Sequence, residues 1–123
     1  MLLDSYAWIE FFQGSERGEK VWNILNSIEC CTSIVSISEI IEWCLRNNID
    51  YKDRISRIKK MSKILSLDEQ IVLLAGRINF YNKKKIKNWG MLDSLIYATA
   101  RLYGLKVLTG DKHFFGLEDV EML

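Results

Sequence analysis

The stretch MLDSLIYATARLYGLKVLTGDKHFF, residues 91–115, changes its periodicity once and marks the change with a glycine. From Met91 to Tyr103, residues Leu92, Leu95, Ile96, Thr99 and Leu102 recur at three- and four-residue intervals, which places them on one stripe of a helix. Gly104 ends that helix, because glycine takes the left-handed backbone of a C-terminal cap without a Cβ clash. KVLTG, residues 106–110, is then an apolar run of strand length, and Asp111 follows it directly. A helix that feeds a short buried strand ending on an acid is a unit of an α/β domain.

The same unit recurs toward the N-terminus. Leu2 and Leu3 form an apolar run that stops at Asp4, and Tyr6, Ile9 and Phe12 then fall at helical intervals over Ser5 to Phe12. After a polar break at Gln13, Gly14 and Ser15, a second helix carries Val21, Trp22, Leu25 and Ile28. CCTSIV, residues 30–35, reads as a buried strand, and the pattern turns helical from Ser36 to about Arg46. Asn47, Asn48 and Asp50 break it before a helix with Ile55, Ile58, Met61 and Leu65 on one face, and a further helix opens at Ser66. A one-turn helix around His113 to Phe115 and a turn near Gly116 lead to a last strand, VEML. Strands alternating with helices predict an α/β fold: a three-layer α/β/α sandwich with a short, mainly parallel sheet.

Composition bounds the function. A chain of 123 residues fits one domain, 1–123, and can bury a core without disulfides. With 49% hydrophobic and 27% charged residues it reads as globular rather than disordered. No apolar run approaches the ~20 residues of a bilayer crossing, so no membrane role is expected. MLLDSYAWIE lacks the basic and long apolar segments of a secretory signal, which points to the cytoplasm. Cys30, Cys31 and Cys44 form no C-x-x-C pair, so they read as reduced, mostly buried thiols and not as zinc ligands. A net charge of +1 leaves any attraction to nucleic acid to local patches.

Four acids stand at junctions of this pattern. Asp4 ends the first strand, Glu39 lies in the first turn of the helix after the second, Asp93 starts the helix before KVLTG, and Asp111 follows it. Ligands of a parallel sheet bind beyond the carboxyl ends of its strands, where strand order reverses. Singly, each acid also has a local reading. Ser36 and Glu39 fit the S-x-x-E capping box, as do Ser66 and Glu69. Asp4 and Asp111 fit N-caps, and Asp93 suits the positive end of a helix.

As an ordered set, LLD at the start, SISEII with Glu39, MLDSLIYATA with Asp93 and VLTGDKHF with Asp111 resemble the PIN-domain family, in particular the VapC-type toxins of toxin–antitoxin pairs. The resemblance runs from Leu2 to the closing VEML. It implies a metal-dependent ribonuclease in which Asp4, Glu39, Asp93 and Asp111 are the catalytic, metal-holding carboxylates, with Mg²⁺ or Mn²⁺ as cofactor. Thr109 is expected to support them from behind, and Glu42, one turn beyond Glu39, is either an auxiliary acid or a solvated neighbour. Gly110 departs from the family pattern, where many members carry arginine, and this shifts a phosphate contact toward Lys112. The resemblance further implies an RNA substrate, a cognate antitoxin protein and a homodimer. Two alternatives stay open: an RNA-processing PIN nuclease without an antitoxin, and a catalytically silent PIN-like module that binds RNA or protein.

Hard carboxylate oxygens suit Mg²⁺ or Mn²⁺, and a few of them leave coordination positions for water and substrate phosphate. For binding RNA the candidates are Arg46, Arg54, Arg57 and Lys60, and the run Lys83, Lys84, Lys85 and Lys87. Tyr6, Trp8, Phe11 and Phe12 are too many aromatics for one buried face, so some should meet a groove or partner. His113, the single histidine, is expected in a surface or helix-terminal position.

Overall fold

A computed structural model describes residues 1–123. Its strands are β1 (Leu2–Leu3), β2 (Cys31–Ser33), β3 (Lys63–Leu65), β4 (Val107–Thr109) and β5 (Val120–Met122). They form one sheet in the order β3-β2-β1-β4-β5, with every neighbouring pair parallel. The helices are α1 (Ser5–Gln13), α2 (Glu16–Ser27), α3 (Ile34–Arg46), α4 (Tyr51–Met61), α5 (Glu69–Asn82) and α6 (Met91–Tyr103), with a 3₁₀ turn over Lys112–Phe114.

Alternation along the strands builds a core on each face of the sheet. Leu3 and Leu108 join Ala7, Trp8, Val21, Ile40, Cys44 and Ile58 on the side covered by α1 to α4. Their neighbours Leu2 and Val107 join Ile96, Tyr97, Ala100, Trp89 and Phe114 on the other side, where α6 packs. All of these residues are buried, and each large side chain contributes roughly 1.5–3 kcal/mol through the water it leaves. The sheet therefore lies between two helical layers, which is the α/β/α sandwich. The cysteines obey the same alternation: Cys30 belongs to the first core, while Cys31 packs against the second. All three cysteines are free.

Several local expectations change. The helix expected to carry Leu65 stops at Met61, and Lys63–Leu65 forms a fifth, edge strand paired with β2. Leu65 lies seven positions after Ile58, so it mimics a helical repeat, and three residues are too few to display a period of two. The second strand ends at Ser33, earlier than expected, because Ser33 caps α3 by accepting from the Val35 N–H. The S-x-x-E box is absent there: Ser36 is already inside the helix, buried, with no partner for its hydroxyl. Asp68 rather than Ser66 caps α5.

The stripe on α6 is also shifted. Leu92 and Leu102 are 41% and 46% exposed, whereas Ser94 and the run Ile96 to Ala100 are buried. Helix α6 is covered twice, by the sheet and by α5, so its buried arc is wider than one stripe. Alanines at 98 and 100 let both neighbours approach, and the buried Ser94 hydroxyl accepts from Trp89 Nε1 at 2.7 Å and donates to Asn79 Oδ1 at 3.1 Å.

Strand order reverses between β1 and β4. The chain builds outward from β1 through β2 to β3, then crosses to β4 on the other side of β1. The carboxyl end of β1 runs directly into Asp4, and that of its neighbour β4 runs through Gly110 into Asp111.

Candidate active site

Asp4 leaves β1 and caps α1, and its carboxylate is held at both oxygens. The Ser5 N–H donates to Oδ1 at 2.7 Å, and Thr109 Oγ1 donates to Oδ2 at 2.9 Å from the end of β4. Thr109 is fully buried, and its hydroxyl also accepts the Asp111 N–H at 3.0 Å. One hydroxyl thus ties the two strand ends together.

Glu39 arrives from α3. The Ser5 hydroxyl donates to its Oε1 at 3.1 Å and lies 3.4 Å from Asp4 Oδ1, so one serine bridges the acids of two elements. Glu42 on the same helix has a side chain 72% exposed and stands 3.9 Å from Arg46.

Asp93 occupies the third position of α6, and its Oδ2 accepts the Gly90 N–H at 3.0 Å. Asp111 caps the 3₁₀ turn by accepting the His113 N–H at 2.9 Å. That turn folds His113 back toward the acids: its Nδ1 lies 3.2 Å from Asp93 Oδ2 and 3.5 Å from Asp111 Oδ1. One ligand atom from each of Asp93, Asp111 and His113 can be chosen so that all lie within 4.8 Å of one another, a spacing one metal ion spans.

The electrostatics bind these positions into one site. Burial raises the Asp4 carboxyl to about 7, and the charges of Glu39 and Asp111 push the same way, against the bonds from Thr109 and Ser5. Burial likewise raises Glu39, with Asp93, Asp111 and Glu42 adding to it while Ser5 opposes. Asp93 is raised by burial and by Asp111, opposed by the Gly90 bond and by His113. Burial and neighbouring negative charge thus disfavour the ionised forms of Asp4, Glu39 and Asp93. A divalent cation or bound protons relieve that repulsion, and the hard carboxylate oxygens fit Mg²⁺ or Mn²⁺.

The structure therefore brings Asp4, Glu39, Asp93 and Asp111 to one edge of the sheet. Asp4 and Asp111 cap their helices, and the charge of Asp111 acts on Asp4, Glu39 and Asp93. His113, expected at a surface or helix terminus, does sit in the one-turn helix but contacts two of the acids. The only sequence signal for that was its place two residues after Asp111 in a tight turn.

Gly110 has a steric reason to be small. A Cβ built there would meet Tyr6 Cε1 at 2.3 Å, so the Tyr6 ring fills the space a side chain at 110 would need. Tyr6 in turn accepts a bond from Arg17 at 2.6 Å. Lys112, the alternative cation, is exposed on the 3₁₀ turn. Of the other aromatics, Trp8 is buried with Nε1 on Thr32 Oγ1 at 3.0 Å, whereas Phe11 and Phe12 are half-buried beneath Arg54 and Arg57.

No curated protein matches this sequence. Solved structures do match the fold. A toxin–antitoxin complex from Klebsiella pneumoniae is 19% identical with a TM-score of 0.79, over 98% of this chain and 95% of that one. DNA-bound VapBC from Salmonella typhimurium is 20% identical with a TM-score of 0.73, over 99% and 95%. The toxin VapC20 of Mycobacterium tuberculosis, described as cleaving the sarcin-ricin loop, is 14% identical with a TM-score of 0.73, over 92% and 91%. The family model for the PIN domain matches residues 1–119, and with the sheet order and the acidic edge already described, the chain belongs to the PIN-domain family.

Proposed function

We propose that this PIN domain is a Mg²⁺- or Mn²⁺-dependent endoribonuclease and the toxin of a toxin–antitoxin pair. The observation that carries the reading is the convergence of four carboxylates where strand order reverses, with Asp4 buried there and raised to about 7. Asp4, Glu39, Asp93 and Asp111 would hold the ion, with His113 beside Asp93 and Asp111. A divalent ion bound there supplies Lewis acidity, lowering the pKa of a water and offsetting charge on phosphoryl oxygens.

The chain's own part is to hold these groups still and to place a proton. Ser5 and Thr109 fix the rotamer of Asp4, Ser5 also steadies Glu39, and the Gly90 N–H orients Asp93. With a proton on Nδ1, His113 donates to Asp93 and faces Asp111, softening the repulsion between those two carboxylates.

Partners follow from the same reading: an RNA substrate, a cognate antitoxin, a second copy in a homodimer, and work in the cytoplasm. No helix is long and apolar enough to cross a membrane. The solved toxin–antitoxin complexes of this fold support an antitoxin. A groove of about 500 Å³ along α3 and α4, lined by Ile41, Tyr51, Ile55, Lys52, Lys59 and Lys60, offers an amphipathic acidic segment a surface to cover.

The deciding experiment incubates the protein and its Asp93→Asn variant with cellular RNA and manganese, with and without EDTA, and maps new 5′ ends. Cuts made only by the native protein and only with metal are expected. Cuts shared by both proteins in EDTA would point to a contaminating ribonuclease, and the absence of any metal-dependent cut by the native protein would refute the reading.

A further inference from the structure

Helix α5 ends in a surface whose chemistry the acidic site leaves unused. Phe80 is 58% exposed and Tyr81 is 61% exposed, at the end of a helix whose buried face is made by Ile71 and Ala75. Their ring centroids lie 5.2 Å apart at an interplanar angle of 85°. Lys84 Nζ sits 4.0 Å from the centroid of Phe80 and 5.7 Å from that of Tyr81. Adjacent exposed rings rimmed by charged residues mark an interaction surface.

The charge around the pair has one sign. Between Glu69 and Asp93 the chain carries Arg77, Lys83, Lys84, Lys85 and Lys87 and no acid, in a protein of net charge +1. The other basic surface differs. There Arg54 is paired with Asp53 at 2.7 Å, and Arg54 and Arg57 lie over Phe11 and Phe12. The α5 surface combines two adjacent exposed rings with a run of lysines along the link that follows them.

Its location ties it to the acids. Asn79, next to Phe80, accepts from Ser94, next to Asp93, at 3.1 Å, so the last turn of α5 is fastened to the first turn of α6. The basic link between those helices ends at Gly90, whose N–H holds the Asp93 carboxylate.

We propose that Phe80, Tyr81 and Lys84 form a platform for single-stranded RNA, on which unpaired bases stack while the neighbouring lysines contact the phosphates. Every base offers a π-face, so the platform selects unpaired strand over sequence, whereas a duplex keeps its bases stacked and unavailable. The proposal deepens the nuclease reading by naming the substrate as single-stranded and its approach as over the α5–α6 link.

The test measures binding without cleavage, in EDTA, by fluorescence anisotropy of a short labelled single-stranded RNA and of the same strand in a duplex. The native protein should bind the single strand more tightly. Phe80→Ala and Tyr81→Ala should each weaken it about tenfold, near the middle of the range for one lost base stack. Lys84→Glu should weaken it and flatten its salt dependence, and Asp93→Asn should bind at least as well as the native protein. Unchanged thermal melting of the variants would show that these exposed positions act through binding. Equal affinity for strand and duplex, or alanine variants that bind like the native protein, would overturn the platform. So would alanine variants that turn a dimer into a monomer without loss of RNA affinity, since the rings would then be a contact between copies. Cleavage that persists while the platform fails leaves the nuclease reading standing. Ring-dependent binding by a protein that never cuts refutes the nuclease and keeps the platform.

Discussion

The hydroxyl of Ser5 donates to Glu39 Oε1 at 3.1 Å, joining the first turn of α1 to α3 across a sequence separation of 34. The same oxygen lies 3.4 Å from Asp4 Oδ1. A single small polar side chain therefore sets the distance between two acids that repel each other. Ser5→Ala should cost about 1 kcal/mol of stability, the usual net worth of such a bond. It should also weaken metal binding roughly 10–100-fold, as loss of an orienting partner does. Titration of the metal followed by thermal melting measures both, and native affinity in the variant would show that Ser5 is only a helix-start residue.

Asp93→Asn separates the two roles of Asp93. The asparagine oxygen can still accept the Gly90 N–H, so the start of α6 keeps its bond. The charge that burial and Asp111 disfavour is gone. Cleavage should be lost while the metal-free melting temperature stays level or rises. A clear fall in that temperature would mean that the Asp93 charge supports the fold rather than opposing it.

The pH dependence has a definite sign. Asp4 titrates near 3.8 when unfolded and near 7 when folded. Between these values the folded chain holds a proton that the unfolded chain releases, so Asp4 makes stability fall as pH rises through that window, by up to about 1.4 kcal/mol per unit. Glu39 and Asp93, both raised, act in the same direction. In EDTA, Asp4→Asn keeps a good N-cap and should gain stability over the native protein between pH 5 and pH 8. A stability gap independent of pH would show that the Asp4 carboxyl is not raised. Magnesium or manganese should protect the native protein more at pH 8 than at pH 5, because binding must displace the proton.

What the sequence discloses depends on the range of the interaction. Asp4 and Asp111 are legible because each follows a strand, and a parallel sheet gathers strand ends at one edge; Asp93 starts a helix that follows another helix, so its place at that edge depends on where the α5–α6 link returns. Glu39 is ambiguous in the sequence, where Ser36 completes a capping pattern; only the position of Ser33 as the true cap releases it for Ser5. β3 is hidden because three residues carry no period and Leu65 fits the stripe of the helix before it. Histidine 113 and the fit of Tyr6 against Gly110 depend on a turn of one residue or two and on a ring's direction, which no periodicity encodes.

That fit gives the last prediction. An alanine Cβ at position 110 would stand 2.3 Å from Tyr6 Cε1, so Gly110→Ala forces the ring aside and with it the hydroxyl that holds Arg17. Overpacking of this kind costs roughly 1–3 kcal/mol. Tyr6→Ala alone removes the ring and leaves a hole beside the acids. Combined, the two changes should cost less than their sum, because the added methyl group occupies part of the space the ring vacates. A double-mutant cycle by chemical denaturation measures the coupling. Strict additivity would show that Tyr6 swings away at no cost, and that position 110 is free to take a larger side chain, arginine included.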